Sequence, residues 1–514
     1  MLATAPPLLS LRRAALALCV ATLLLWPMVW VTAPIVYFDS FAYAGAGMKA
    51  LDLVRDALIP AGGAGGVAGG GVDVDGAGSG FLRSAAWSVF VAALGGLPWG
   101  AVIACLLQTA GALLVLGMLV PPGAAIRLSR AFVSVLAVGT LSGLPWYASY
   151  AMPDILGALV VAYYAALLGP LAHASRAVRF FAMALACFAV LSHYGHLPLA
   201  AALAAVILLL RLPRPGLPLA VAALLPFTAA VVLNGATGLI LDQVAAPPSG
   251  IPSAEAALAG PPSVTPGRLP IVLARSIGDG VALPHLQEAC ARDAYRSCAF
   301  LGELPGTVGG FLWSRDGIRK LDVDEMEVLR AEEMRIVLDA ALARPLLQAQ
   351  AVAQNVALQI LRVGTDEMLP LPPLGADGTY PVPAATDAAA FPILGWADLW
   401  IPAFTLLSAL ALTWRLAAGR LNPVLVAPTL VVFAGIAINA GIFGGLSYPV
   451  DRYGGRIVWL LPALLAIDLA LAPKSRTSQV RGVLSSGRGR ARCTGIVWRV
   501  LHRTGGGPRK RIQK

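Results

Sequence analysis

Charge is what this chain has least of. Lys, Arg, Asp and Glu make up 13% of its 514 residues, against 58% hydrophobic, and the mean hydropathy is +0.76. Soluble domains carry roughly 25% charged residues, so a soluble globular fold is excluded and an all-α, polytopic membrane protein is expected. Acid is missing from the tail altogether: residues 473–514 hold twelve Lys or Arg and no Asp or Glu. Without that tail the formal net charge falls from +11 to −1. The basic balance therefore belongs to the tail and implies no nucleic-acid partner for the chain as a whole. Six cysteines are too few for a disulfide scaffold. No internal repeat is visible, which argues against the paired halves of a secondary transporter.

The first stretch without any charge runs from Ala14 to Pro34, behind Arg12 and Arg13. It is long for a signal-peptide core, and no small-x-small cleavage site follows before Asp39, so an uncleaved first span is expected. Asp39 is the first acidic residue of the chain, within Pro34-Ile35-Val36-Tyr37-Phe38-Asp39-Ser40-Phe41-Ala42-Tyr43. It sits where that span surfaces. A carboxylate there avoids the roughly 2.5 to 3.5 kcal/mol of mid-bilayer placement, yet stays partly dehydrated. The alternative is that Asp39 and Ser40 cap a following helix.

Two short interfacial helices are expected next, from Lys49 to Ile59 and from Phe81 to about Leu94. Between them, ten of residues 61–80 are glycine and read as a surface insertion. A phosphate cradle is not expected there, since no strand precedes and no Lys follows. Further spans are expected at about 98–120, 131–145, 152–170, 178–192, 197–211 and 217–240, then 397–415, 422–446 and 456–472, ten in all. Arg127/Arg130, Arg176/Arg179, Arg211/Arg214 and Arg415/Arg420 fall on one side with Arg12, Arg13 and the tail. By the positive-inside rule that side is cytoplasmic and holds both termini. The organisation expected is a membrane region 1–240 with about seven spans and a first outer loop 35–97, a large periplasmic loop 241–395, three spans in 396–472, and a cytoplasmic tail 473–514.

The large loop carries eighteen Asp or Glu against eleven Lys or Arg, a balance that suits translocation, and 318–362 within it reads as helical. Cys290 and Cys298 are its only cysteines. On an oxidising face they are expected to pair, with a zinc site including His285 as the lesser alternative. The tail is expected to be attracted to anionic lipid, at about 1 kcal/mol per basic residue near the surface.

Outside the loop and the insertion, the outer-face charges form a short set: Asp39, Arg83, Asp154, Asp398, Asp451, Arg452 and Arg456, with His193 and His196 as titratable neighbours. A charge at the end of a span is paired or functional. A carboxylate takes a proton from a hydroxyl, while Arg and His bind and neutralise phosphate. Each residue also has a plainer reading: Asp154 as a helix cap after Met152-Pro153, the histidines as interfacial residues, Arg452 and Arg456 as snorkelling anchors.

Six short runs carry a resemblance. Tyr37-Phe38-Asp39-Ser40-x-x-Tyr43 resembles the first-loop acidic motif of the GT-C glycosyltransferases, integral-membrane enzymes that use polyprenyl-phosphate sugars. Arg83-Ser84-x-x-Trp87 is similar to the opening of that family's second interfacial helix, and Pro449-Val450-Asp451-Arg452-Tyr453 to the Arg-Tyr element before its last span. Met152-Pro153-Asp154, Ser192-His193-Tyr194-Gly195-His196 and Arg452-Tyr453-Gly454-Gly455-Arg456 resemble an uncharacterised bacterial branch. Many members carry two adjacent acids in the first loop, whereas Ser40 follows Asp39 here. The resemblance implies sugar transfer from a polyprenyl-phosphate donor to a lipid or glycan acceptor, on the periplasmic face of a bacterial inner membrane. Asp39 would be the general base. Arg83, His193, His196, Arg452, Tyr453 and Arg456 would hold the lipid phosphate, supported by Tyr43, Asp154 and Asp451. This scheme requires no metal or cofactor. A lipid-linked glycan ligase or polymerase, a secondary transporter and a partner-binding scaffold remain as rival readings.

Overall fold

The computed structural model describes residues 19–58, 84–121, 124–210, 217–245, 269–365, 367–375 and 392–471. Arg12 and Arg13, the Gly-rich insertion, Arg83 and the basic tail lie outside them. Among the described residues the chain is helical, apart from one two-stranded ribbon in which Ile35 pairs with Pro370 and Val36 with Leu369.

Five described helices are long and apolar enough to cross a membrane: Trp99–Leu119, Pro218–Thr237, Gly395–Ala417, Pro423–Leu446 and Asp451–Ala470. A sixth is reached only by counting Asp324–Ala343 and Pro345–Leu361 as one span, and those two meet at a bend of 109°. The chain is an all-α membrane protein, but the expected count of ten spans is corrected to five or six among the described residues. The reason is length. Leu128–Leu141 and Asp154–Leu167 have 14 residues each, His196–Leu210 has 15 and Arg176–Leu191 has 16. At 1.5 Å per residue these are about 21–24 Å long, short of the roughly 30 Å of hydrocarbon. Proline and glycine cut them. Gly143 and Pro145 divert the chain into the short Leu144–Ala148 helix, and Gly169 and Pro170 divert it into the 3-10 turn Pro170–His173. The first expected span enters the described residues only at Cys19 and is broken after Leu25 by the separate five-residue helix Trp26–Trp30.

Apolar residues gather in two clusters. The larger fills the bundle around Asp154–Leu167, whose 14 residues are all buried. The smaller gathers Leu273, Ile277, Phe311, Leu329 and Ile336. The region read as a polar loop thus holds a small helical unit with its own core. Its helices include Ile271–Gly278, Ala282–Cys290, Val308–Trp313 and Val323–Ala343, the last opened by a capping box between Asp322 and Glu325. Cys290 and Cys298 are bonded to each other. Glu332 accepts the N–H groups of Arg296 and Ser297 at 2.9 Å each, tying the disulfide loop to the long helix.

The expected interfacial helices are Phe38–Leu58, longer than the 49–59 segment read from sequence, and Ala85–Ala93. Ser84 caps the second, its hydroxyl accepting the Trp87 N–H and donating to the Leu191 carbonyl at 2.5 Å. The two helices touch at Gly47, where a Cβ would lie 2.0 Å from the Ser88 carbonyl oxygen.

Candidate functional site

Three distant segments are laced together at one end of the bundle. Ile35 N–H donates to Ser149 O at 3.1 Å, Ala151 N–H to Ile35 O at 2.8 Å, and Leu371 N–H to Pro34 O at 2.8 Å. With the 35–36/369–370 ribbon, these bonds bring Tyr37 and Asp39, Tyr147 and Asp154, and Glu367 to a single place. The last long helix enters beneath them. Gln359 holds its start by pairing with both backbone groups of Val450, at 2.9 and 3.1 Å.

Arg452 is the centre of the cluster. Its Nη1 lies 3.4 Å from Asp39 Oδ2, and its Nε lies 3.4 Å from Glu367 Oε2 and 3.9 Å from Asp154 Oδ1. Its guanidinium stands 4.5 Å from the centre of the Tyr37 ring and 5.0 Å from that of Tyr453. Between two rings the cation is held by attraction to their faces. Arg456, one turn further, donates to Asp154 Oδ1 at 3.3 Å and to Asn439 Oδ1 at 3.1 Å, and lies 4.0 Å from the Phe443 ring. Asn439 in turn donates to Tyr453 O at 2.8 Å.

Burial separates the roles. The side chains of Asp39 and Glu367 are 17% and 20% exposed and that of Arg452 is 7% exposed, whereas Arg456 and Asp154 are enclosed. Asp39 and Glu367 are therefore the outermost members of the cluster, Arg452 lies beneath them, and Arg456 and Asp154 form the floor. His196 is also enclosed. Its Nδ1 lies 2.7 Å from the Ala189 carbonyl, which fixes Nδ1–H as donor and leaves the lone pair on Nε2. A Cβ on Gly157 would lie 2.9 Å from that Nε2 and 3.5 Å from Arg456 Nε, so glycine lets ring and guanidinium approach the central helix. His193 is half-buried, with its ring 4.9 Å from that of His196 and 6.0 Å from Phe443.

Of the supporting residues, Tyr43 is buried in the main core. Asp451 accepts Gly364 N–H at 2.8 Å and faces Arg362 at 3.8 Å, and Asp398 accepts the N–H and hydroxyl of Thr365. These two acids brace the 362–365 turn just before Glu367. Asp39 does not cap its helix. The helix begins at Phe38, and it is the Ser40 hydroxyl that accepts the Tyr37 N–H, at 3.1 Å.

Sequence reasoning missed Glu367, Tyr37 as a ring against Arg452, Asn439 and Gln359. Glu367 was one acid among eighteen in the large loop, and no neighbour sets it apart. Its signal is electrostatic. Burial raises its pKa above the ordinary carboxylate value, and Asp154, Asp39 and Asp451 add to this against the opposing pull of Arg452. Burial also pushes the Tyr37 hydroxyl up to about 12, with Glu367 adding to it. Three carboxylates meet two guanidinium groups, and a proton on Glu367 makes the set neutral. Asp154 Oδ2 and Arg456 Nε are buried without a hydrogen-bond partner in the protein, so the cluster retains bonding capacity. Among the described residues, no group of three or more His, Cys, Asp or Glu has the arrangement of a metal site. Chemically, the cluster presents a carboxylate acceptor for a proton beside a cation for an anion.

Comparison with family models, with curated proteins and with solved structures finds no match to this chain.

Proposed function

We propose that this protein is a membrane glycosyltransferase of the GT-C type. It transfers a sugar from a polyprenyl-phosphate donor to a hydroxyl of a lipid or glycan acceptor, with inversion. The acceptor oxygen attacks the anomeric carbon, the bond from that carbon to the phosphate oxygen breaks, and Asp39 takes the hydroxyl proton. The leaving phosphate keeps the electron pair. Its charge grows along the reaction, so the Arg452 cation acts chiefly in the transition state. Glu367 pairs with the Nε of Arg452 and helps hold the guanidinium in place. Arg456, Asp154 and Asn439 hold the floor, and His196 backs Arg456. Arg83 keeps a phosphate-binding role on the resemblance alone.

The observation that supports this reading most is the meeting of Asp39 with Arg452, 413 positions apart, at 3.4 Å in a partly open cluster. In this reading the site faces the periplasm of a bacterial inner membrane and both termini are cytoplasmic. A lipid-linked glycan ligase or polymerase would use the same pair on a larger donor. The test is to incubate membranes containing the protein with polyprenyl phosphates bearing labelled single sugars or oligosaccharides. Label moving to acceptor with wild type and not with Arg452→Ala supports the proposal. Transfer of oligosaccharide alone selects the ligase, and no transfer from any such donor removes both.

A further inference from the structure

An apolar groove opens along the bundle between the Trp99–Leu119, Leu128–Leu141 and Leu460–Ala470 helices, with a volume of about 240 Å³. Val20 and Leu24 form a further part of its wall. It reaches from Leu144 to Ile126 and Leu471, and Ser134 is the one polar side chain among its lining residues. Such a wall offers no partner for peptide groups, which would lose several kcal/mol each if left unpaired there. The occupant it suits is a hydrocarbon chain. One bilayer leaflet is about 15 Å deep, and the 14-residue helix beside the groove is about 21 Å long, so a chain from a single leaflet fits lengthwise.

The charge lies at one end. Ile126 forms a backbone bridge with Leu471, and Arg127 N–H donates to the Ala470 carbonyl at 2.9 Å. These contacts fix Arg127 and Arg130, both exposed, at the mouth where the groove ends. Asp468, the acid at this end, is enclosed and held by Arg415 at 2.5 Å and Asn422 N–H at 2.8 Å. It leaves the mouth positive. In the sequence Lys474 and Arg476 follow Leu471 at once, with no acid after them.

We propose that this groove binds an anionic phospholipid, one acyl chain between the helices and the phosphate against Arg127 and Arg130. The site is separate from the Arg452 cluster and does not rest on the glycosyltransferase reading.

The test is native mass spectrometry of the full chain in detergent, titrated with phosphatidylglycerol or phosphatidylcholine of the same acyl chains. Phosphatidylglycerol should be favoured about thirtyfold, from the attraction of two surface cations at about 1 kcal/mol each. Arg127→Gln with Arg130→Gln, on the exposed surface, should abolish the preference while leaving residual binding of both lipids. Equal binding by wild type, or a preference that survives the double substitution and so belongs to the tail, overturns the site. A photocrosslinking residue at Ser134 identifies the occupant in the full chain. Crosslinks to lipid support the proposal, and crosslinks to residues 1–18 or 494–501 of the protein itself overturn it.

Discussion

Arg452 holds Asp39, Glu367 and Asp154 at distances between 3.4 and 3.9 Å, so no single carboxylate is its sole partner. Asp39→Asn therefore removes a proton acceptor while leaving Arg452 two acids. Because Ser40 and not Asp39 closes the helix start, the variant should keep its fold. Loss of a general base typically costs about 10² to 10⁴ in rate, read as product formed in a strain lacking the wild-type gene at matched membrane level. Full activity would leave Asp39 as an ion-pair partner only. Glu367 gives a different readout. Its raised pKa means the folded protein holds that proton more tightly than the unfolded chain. The stabilisation is present below the ordinary carboxylate value and is lost as pH rises through the raised one. Glu367→Gln does not titrate, so its melting temperature should climb relative to wild type across that window. A difference flat in pH would show that Glu367 titrates alike in the folded and unfolded chain. Asp39 was legible in sequence because it stood alone at the end of a span. Glu367 was not, since its importance comes from a strand pairing some 330 residues distant in sequence, between Ile35–Val36 and Leu369–Pro370.

At the level of elements, the two glycines of Arg452-Tyr453-Gly454-Gly455-Arg456 explain how the last helix reaches the cluster. A Cβ on Gly454 would lie 1.9 Å from the Arg362 carbonyl oxygen, and one on Gly455 2.4 Å from the Tyr147 hydroxyl. Both neighbours are fixed: Tyr147 donates to Arg452 O at 3.1 Å, and the 362–365 turn is held by Asp451 and Asp398. Gly454→Ala should cost about 1–3 kcal/mol, the usual range for overpacking. It should also lower transfer, because the displaced turn leads directly to Glu367. A melting temperature and activity both equal to wild type would mean the turn yields freely. The sequence showed that the run was unusual but not why, since the constraint comes from a backbone oxygen ninety residues away. The disulfide lies in the smaller core, and closing a loop this short contributes about 2–3 kcal/mol. Replacing Cys290 and Cys298 by Ser should lower the melting temperature of that unit. Alkylation of wild type should label both thiols only after reduction.

For the whole molecule, the charged residues sort to two ends. Asp39, Glu367, Asp398, Asp451 and Arg452 share one, and Arg127, Arg415 and Asp468 share the other, joined by the Asp451–Ala470 helix. That sorting was legible from the basic residues alone, but the number of spans was not. A hydropathy window counts apolar residues whether or not they continue a helix, and Asp154–Leu167, buried on all sides, has no lipid face whose length must match the bilayer. Parity tests the topology. All five described helices of crossing length follow the Gly-rich insertion at 61–80, as do nine of the ten expected spans, and both numbers are odd. Counting the bent pair as a span makes the number six, which is even. Its first helix carries Asp324, Glu325, Glu327, Glu332, Glu333 and Asp339, charges that hydrocarbon excludes at about 2.5 to 3.5 kcal/mol each. The pair should therefore stay outside the membrane, leaving the insertion and the tail on opposite sides. An alkaline phosphatase reporter inserted after Gly70 should be active and one fused after Lys514 inactive. Two active reporters would place the insertion and the tail on the same side and make the bent pair a true span.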